Sequence, residues 1–123
     1  MFCVATKTDH IAPWRSVYKI HLFTNNELTF VLTNGGHNAG IVAGPRHPRR
    51  HHQIAVRKPG AQYLDSDTWL SMAALKDGSW WPTWVDWLRR QTCDERVAPP
   101  TMGAPDQGLM PLYSAPGIYV HQR

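Results

Sequence analysis

The chain has 123 residues, of which 42% are hydrophobic and 18% are charged, and this composition excludes a disordered tail. Its formal charge is +4 with histidine counted as neutral, and much of that charge lies between Arg46 and Lys58. The apolar start covers only residues 1–5, which is too short for a signal segment or a membrane span.

The first 44 residues have the pattern of a strand, a helix and a second strand. Residues 2–6 form a continuous apolar run, which predicts a buried strand. Pro13 suits the first position of a helix, and residues 28–33 are rich in β-forming side chains. Between them, apolar side chains recur with helical spacing at Trp14, Val17, Tyr18, His21 and Leu22. This order predicts a βαβ unit with parallel strands.

The remaining residues fall into three segments. Residues 45–64 are rich in Pro, Arg and His and lack a helical period, which predicts a basic surface loop. Residues 65–92 predict two Trp-rich helices, the first capped by Asp65 or Ser66 and extending to Leu75. Residues 93–123 contain many Pro and Gly, which predicts an irregular strap that covers the fold.

The two predicted parallel strands are too few for a complete sheet. Parallel strands occur almost only inside larger α/β sheets that helices cover on both faces. We therefore expect an α/β fold whose N-terminal strands are missing. Such a chain is an incomplete folding unit, and we expect it to self-associate or to be only marginally stable.

Asp9 and His37 come just after the two predicted strands, at the edge where open α/β sheets place their sites. In an acyl-transfer triad the His takes the proton of the nucleophile, and the acid holds the His and stabilises its charged form. Asp before His fits the α/β-hydrolase order, in which the nucleophile comes first. A structural alternative is that Asp9 caps the helix at Pro13 and that His37 is an ordinary loop residue.

Four blocks resemble the polyhydroxyalkanoate synthases, especially those of class I. Residues 9–14, DHIAPW, are similar to the family's DHIxPW around its catalytic Asp, and residues 30–40, FVLTNGGHNAG, to its FVLxxxGHxAG around the catalytic His. Residues 78–84, GSWWPTW, match GSWWPxW, and residues 115–120, APGIYV, resemble APGxYV. The blocks follow the family's order across nearly the whole chain. The resemblance implies the C-terminal part of a synthase, with the last two parallel strands and crossover helix of an α/β-hydrolase fold, then helices and an irregular tail.

This resemblance implies an acyltransferase that polymerises 3-hydroxyacyl-CoA into a polyester and releases CoA. In the family, a thiolate in a GxCxG elbow attacks the thioester, so His37 would activate that thiol and Asp9 would support His37. The family's Asp is also proposed to help deprotonate the hydroxyl that extends the polymer. The CoA thioester is the substrate, and the resemblance implies no cofactor.

Neither cysteine fits the nucleophile. Cys3 lies within the first predicted strand with no glycine beside it, and Cys93 lies in QTCD, which lacks the tight elbow that exposes the sulfur. We interpret Cys3 as a small buried hydrophobic side chain. The absence of a CxxC motif and of a signal segment indicates a reduced, cytoplasmic protein, and the resemblance adds the polyester granule as a second location.

The basic segment admits other interpretations. His47, His51 and His52 are of a type that binds metals, but the segment offers no Cys or carboxylate partner and is crowded with arginines, so we expect no metal site. The same cations suit nucleic acid phosphates, CoA phosphates or a protein surface. No nucleic-acid module surrounds them, so we expect no nucleic acid partner.

Two functions remain for the chain as a whole. The first is an enzyme part that supplies Asp9 and His37 to a polyester-forming acyltransferase, whose nucleophile lies elsewhere. The second is a non-catalytic, truncated paralogue that associates with a synthase or with its storage granule. The first implies 3-hydroxyacyl-CoA and the polyester as ligands once an N-terminal part completes the site, and the second implies only protein or granule contacts.

Overall fold

The computed structural model describes residues 1–122, and the chain divides into two compact units, Met1–Cys93 and the residues from Asp94 onward. The strands of the first unit are β1 (Phe2–Thr6), β2 (Leu28–Thr33), β3 (His51–Arg57) and β4 (Ala74–Asp77). Its helices are α1 (Trp14–Tyr18), α2 (Ile20–Phe23), α3 (Ser66–Met72) and α4 (Trp81–Arg89). The four strands form one mixed sheet in the order β1-β2-β3-β4, which is compatible with the α/β class.

The expected βαβ unit is confirmed. Strands β1 and β2 pair in parallel, with Phe2 opposite Thr29 and Thr6 opposite Thr33. The predicted helix is present as α1 and α2, which meet at Lys19. Leu22, which the helical spacing placed on the buried stripe, is instead exposed.

The prediction of a continuous basic loop over residues 45–64 is wrong, because His51–Arg57 forms strand β3, antiparallel to β2. On β3, the buried side chains alternate with more exposed ones, and one buried side chain is the histidine His52. A buried imidazole therefore occupies a position where the sequence pattern requires an apolar residue. The sheet has four strands, where the sequence predicted two.

The predicted end of the first Trp-rich helix is also wrong. Helix α3 ends at Met72, and Leu75 lies in strand β4, which pairs antiparallel with β3. All four residues of β4 are exposed, so its sequence carries no alternation between buried and exposed side chains. Its extended form depends on pairing with β3 and not on local preference. The predicted cap is confirmed, since the Asp65 carboxylate accepts the backbone N–H groups at the start of α3.

Helices cover the sheet on both faces, so β2 is buried along its whole length. On one face, Phe30 and Leu32 pack against aromatic side chains of α1 and α3, including Tyr18 and Trp69. On the other face, Val31 packs with Trp80, next to the start of α4. Alternate residues of β2 therefore point into two separate cores. Strand β1 stands at one end of the strand order.

The second unit is irregular in its described part, as its Pro and Gly content predicts. Residues Ala104 and Leu109 form an isolated antiparallel bridge, and the ranges Pro105–Gln107 and Tyr119–His121 are short 3-10 turns. Among the described residues, none of the helices has the length and apolar character that crossing a membrane requires.

The buried imidazole of His21 makes the first unit sensitive to acid. Burial, together with the guanidinium of Arg57, lowers the pKa of His21 to about 4. The unfolded chain takes up this proton near pH 6.5, so stability is fully present above that pH and is lost as the pH falls toward 4. We expect the free energy of unfolding to fall by roughly 1–3 kcal/mol over this range from His21 alone.

Urea unfolding of the full chain between pH 4 and 7 measures this effect. The variant His21→Phe should show a smaller loss on acidification than the unaltered chain, and His47→Phe, at an exposed histidine, should show the same loss as the unaltered chain. Equal pH dependence in the unaltered chain and His21→Phe would contradict the assignment.

Candidate functional site

The parallel pairing of β1 with β2 brings the two loops after these strands together. Thr6 and Thr33, the last residues of the two strands, lie opposite each other. Past this point, the backbone N–H of Thr8 donates to the carbonyl of Gly35 at 3.1 Å, so the two loops run side by side. This arrangement places the side chains of the loop after β1 against those of the loop after β2.

Asp9 and His37 meet where these loops touch. The Oδ2 atom of Asp9 lies 2.9 Å from Nδ1 of His37, within hydrogen-bonding distance. The expected proximity of the two residues is therefore confirmed, whereas their catalytic role stays a prediction. The two residues are 28 positions apart in the sequence, and the parallel register of β1 and β2 brings them into contact.

The Asp9 carboxylate is held from several sides. Its Oδ1 accepts the backbone N–H groups of Ile11 at 2.8 Å and Ala12 at 2.9 Å. Its Oδ2 faces His37 and also accepts the Thr6 hydroxyl at 3.4 Å. The Ala12 N–H, with the His37 ring and the Ile11 N–H, lowers the pKa of the Asp9 carboxyl to about 2. Asp9 is therefore an oriented anion at neutral pH.

The His37 ring is more accessible than its partner. Its side chain is 50% exposed, whereas the side chain of Asp9 is only 7% exposed. With Nδ1 donating to the carboxylate, the ring takes the tautomer in which Nε2 carries a free lone pair. A half-exposed imidazole whose Nδ1 is bonded to a carboxylate can take a proton at Nε2 from a group that approaches from solvent or from another protein surface.

The His37 loop is the segment of residues 34–44 that follows β2, and Asn34 and Arg50 connect it to the start of β3. The Asn34 side-chain amide donates to the carbonyl of Arg49 at 3.0 Å, and its oxygen accepts the backbone N–H of His51 at 3.2 Å. The Arg50 guanidinium donates to the Asn34 carbonyl at 3.3 Å. Sequence reasoning missed Thr6, Asn34 and Arg50. The position of Asn34 directly after a predicted strand was the one available signal.

The two cysteines have different surroundings. Cys3 is partly buried in β1 and packs against the cluster that contains Phe30. Burial raises the pKa of the Cys3 thiol, which lowers its thiolate fraction at neutral pH. Cys93 is exposed and lies beyond α4. The structure thus places Cys3 as a small side chain that packs against the core but is only partly buried.

The histidines of the segment predicted as a basic loop, residues 45–64, do not share one environment. His52 is buried, and its Nδ1 lies 3.1 Å from the carbonyl oxygen of Gly78. His47 is exposed, and its Nδ1 faces the carbonyl of Pro48 at 3.0 Å. Across residues 1–122, no three His, Cys, Asp or Glu side chains are grouped so that they could hold a metal ion.

Gly40 lies in the His37 loop at a point with no room for a side chain. A Cβ atom on Gly40 would lie 2.6 Å from the Asn34 carbonyl oxygen and less than 3 Å from the methyl groups of Thr33 and Thr6. By contrast, the nearest atom to a Cβ on Gly36 would be 3.8 Å away. The two glycines of one loop therefore form a matched pair for substitution.

We expect Gly40→Ala to destabilise the first unit by about 1–3 kcal/mol, because the methyl group forces backbone apart, and Gly36→Ala to change stability much less. Chemical unfolding of the full chain measures both, and the ¹⁵N NMR signals of the His37 ring report whether Asp9 stays in contact. An equal effect of the two substitutions would contradict the close packing at Gly40.

Comparison with known proteins gives relatives over the whole chain. No family model matches it. It is 34% identical over 122 residues to poly(3-hydroxyalkanoate) polymerase 2 of Ectopseudomonas oleovorans, covering 99% of this chain and 21% of that protein. It is 37% identical over 124 aligned residues to the poly(3-hydroxyalkanoate) polymerase subunit PhaC of Rhizobium meliloti, covering 100% of this chain and 19% of that protein.

A third relative is the PhaC subunit of Cupriavidus necator, which is 35% identical over 119 residues, or 97% of this chain and 19% of that subunit. The chain thus spans about a fifth of the length of the curated relatives it matches. These similarities confirm the family that the sequence blocks indicated. The chain belongs to the poly(3-hydroxyalkanoate) polymerase family and corresponds to a C-terminal part of its members.

Proposed function

We propose that this chain is the segment of a polyester-forming acyltransferase that carries the general base and the carboxylate supporting it. The observation that carries the proposal is the 2.9 Å contact between Asp9 and His37 at the ends of two parallel strands. The similarity to poly(3-hydroxyalkanoate) polymerases over the whole chain supports a 3-hydroxyacyl-CoA thioester as substrate and a polyester as product. The reaction needs no resident cofactor, because the thioester itself is the activated acyl donor.

We further propose that the first unit is part of an α/β-hydrolase fold. A parallel β1–β2 pair with an acid after one strand and a histidine after the next supports this fold, as does the order of the two residues. The edge of β1 opposite to β2 is the place where further parallel strands of a synthase would add, and those strands would bring the nucleophile.

The proposed proton path uses His37 twice. In the first half-reaction, Nε2 takes the proton of a thiol, and the thiolate attacks the thioester carbonyl of the substrate. The bond to CoA sulfur breaks, and the CoA thiolate leaves with the proton that the imidazolium returns. In the second, Nε2 takes the proton of a 3-hydroxyl group, whose oxygen attacks an acyl thioester, so that one ester bond forms and one thiol is released.

The geometry favours His37 over Asp9 as the base in both steps. Both carboxylate oxygens of Asp9 already accept hydrogen bonds, two at Oδ1 and two at Oδ2. A carboxylate whose pKa is about 2 has little affinity for a proton at neutral pH. Asp9 instead fixes the tautomer of His37 and stabilises the imidazolium that forms in each step. This proposal differs from the direct role that the resemblance implies for the Asp.

The isolated chain should release no CoA from 3-hydroxybutyryl-CoA, because we propose that neither Cys3 nor Cys93 is the nucleophile. The measurement is a colorimetric assay of free thiol with the purified full chain. A robust rate that Cys3→Ala abolishes would overturn this assignment and would place the nucleophile on β1.

Catalysis by Asp9 and His37 is tested in a chimera. The fifth of the Cupriavidus necator subunit that aligns with this chain is replaced by this chain, and CoA release is measured. We expect His37→Gln to abolish turnover and Asp9→Asn, which keeps the shape but removes the charge, to reduce kcat by about 10³–10⁴-fold. His47→Gln, at an exposed histidine outside the site, is the matched control and should leave kcat unchanged.

The chimera also separates the two roles proposed for Asp9. If Asp9 only orients and stabilises His37, the steps of thiol acylation and chain extension should slow by similar factors in Asp9→Asn. Full acylation in a single turnover combined with a block in extension would show instead that Asp9 acts directly on the hydroxyl. An active chimera whose turnover survives His37→Gln would refute the proposed function.

A further inference from the structure

We propose that Trp80 and Trp81 are positioning residues that hold the His37 loop in the geometry that Asp9 requires. This inference rests on the proposed function, because it takes His37 as the base. Neither the motif around the acid nor the motif around the histidine contains these tryptophans. They lie about 40 residues beyond the loop, at the turn that leads into α4.

Three side chains in sequence donate hydrogen bonds to three carbonyl groups on the far side of the loop. The indole Nε1–H of Trp80 donates to the Gly40 carbonyl at 3.1 Å, and that of Trp81 donates to the Ile41 carbonyl at 2.8 Å. The Ser79 hydroxyl donates to the Ala43 carbonyl at 2.7 Å. We call residues 79–81 the indole clamp.

The indole clamp is itself fixed. Trp80 is buried in the cluster that contains Val31 of β2, so its ring cannot follow a moving loop. The Ser79 oxygen also accepts the backbone N–H of Trp81 at 3.2 Å, which ties the two ends of the clamp together. Gly78, whose φ is +87°, makes the turn that precedes it, and its N–H donates to the Arg50 carbonyl.

His37 lies between two anchors. On one side of it, the Asn34 side chain bonds the start of β3. On the other side, the indole clamp holds the carbonyls of Gly40 and Ile41. Because the His37 side chain is half-exposed, the anchors on either side of it determine where its ring stands.

Core packing alone does not explain these contacts. A phenylalanine would bury a comparable apolar ring at position 80 or 81, but it has no N–H group to donate. Both indole N–H groups point at carbonyls of one loop, and the bond from Trp80 is fully buried, where an unmade bond is costly. The loop and the clamp are therefore coupled through directional bonds.

The test uses the double variant Trp80→Phe/Trp81→Phe in the full chain, with Trp84→Phe as the matched control. Trp84 contacts Trp80 at a ring separation of 5.7 Å, but its indole is not among the donors to residues 34–44 in the described chain. The readout is the ¹⁵N NMR spectrum of the His37 ring at alkaline pH, which reports the tautomer directly. We expect a dominant Nδ1–H form in the unaltered chain and in Trp84→Phe, and a mixture of both tautomers in the double variant.

The tautomer of His37 distinguishes a positioning role of Trp80 and Trp81 from an effect on the stability of the fold alone. A double variant that melts at a lower temperature but keeps the Nδ1–H form of His37 would overturn the proposal. If the double variant does not fold, the same spectrum is measured on the single variant Trp81→Phe, whose ring is less buried. A mixture of His37 tautomers would support the proposal, and an unchanged Nδ1–H form would overturn it.

A kinetic measurement in the chimera gives an independent second result. There the clamp variants should reduce kcat by about 10- to 100-fold with KM unchanged, since a misplaced base slows chemistry and not substrate binding. A raised KM with unchanged kcat would count against positioning. If the unaltered chimera is inactive, the proposed function fails. The tautomer measurement still tests whether the indole clamp positions His37, because it needs no turnover.

Discussion

The parallel register between β1 and β2 is the constraint on which the site depends. It sets Thr6 opposite Thr33, and the two loops that follow then share backbone hydrogen bonds before they reach Asp9 and His37. A shift of the register by one residue would turn every side chain of β1 to the other face and would separate the loops. Such a shift is costly because Val4 and Ala5 of β1, which pack against separate clusters on the two faces of the sheet, would exchange cores. The packing of the sheet therefore fixes the distance between Asp9 and His37.

The division of labour between these two residues follows from their surroundings. Asp9 is nearly buried and receives donors on both oxygens, which lowers the pKa of its carboxyl to about 2 and holds it in one orientation. His37 is half-exposed, and only its Nδ1 takes part in the contact with Asp9, which leaves Nε2 free of that contact. A carboxylate in the first environment has little affinity for a proton, so the base of the proposed reaction is the imidazole. One carboxylate with one imidazole thus provides a directional proton acceptor, although the side chain that would use it is proposed to lie outside this chain.

The sequence predicted the parts of the structure that local patterns specify. The parallel βαβ unit, the Asp65 cap and the Trp-rich helix at Trp81–Arg89 are all present. Strands β3 and β4 were missed because neither has a buried apolar stripe of its own: β3 buries His52 in place of an apolar residue, and β4 is exposed throughout. Both are extended because neighbouring strands supply their hydrogen bonds. In the site, the acid and the histidine were predictable, whereas the anchors at Asn34 and Arg50 depend on the unpredicted strand.

The missed strands give the proposed clamp its physical basis. The turn at Gly78 joins β4 to α4, and β4 pairs with β3, so the position of the clamp is set by the same part of the sheet that also anchors Asn34. Both sides of the His37 loop are thus connected to β3. One side is connected through the Asn34 amide, and the other through β4 and the tryptophans. A base held from one side only would swing about that anchor, whereas two anchors on one sheet fix both the position and the orientation of the ring. In this proposal the tryptophans need no contact with substrate to affect catalysis, because their indole N–H groups hold the loop backbone at Gly40 and Ile41, next to His37.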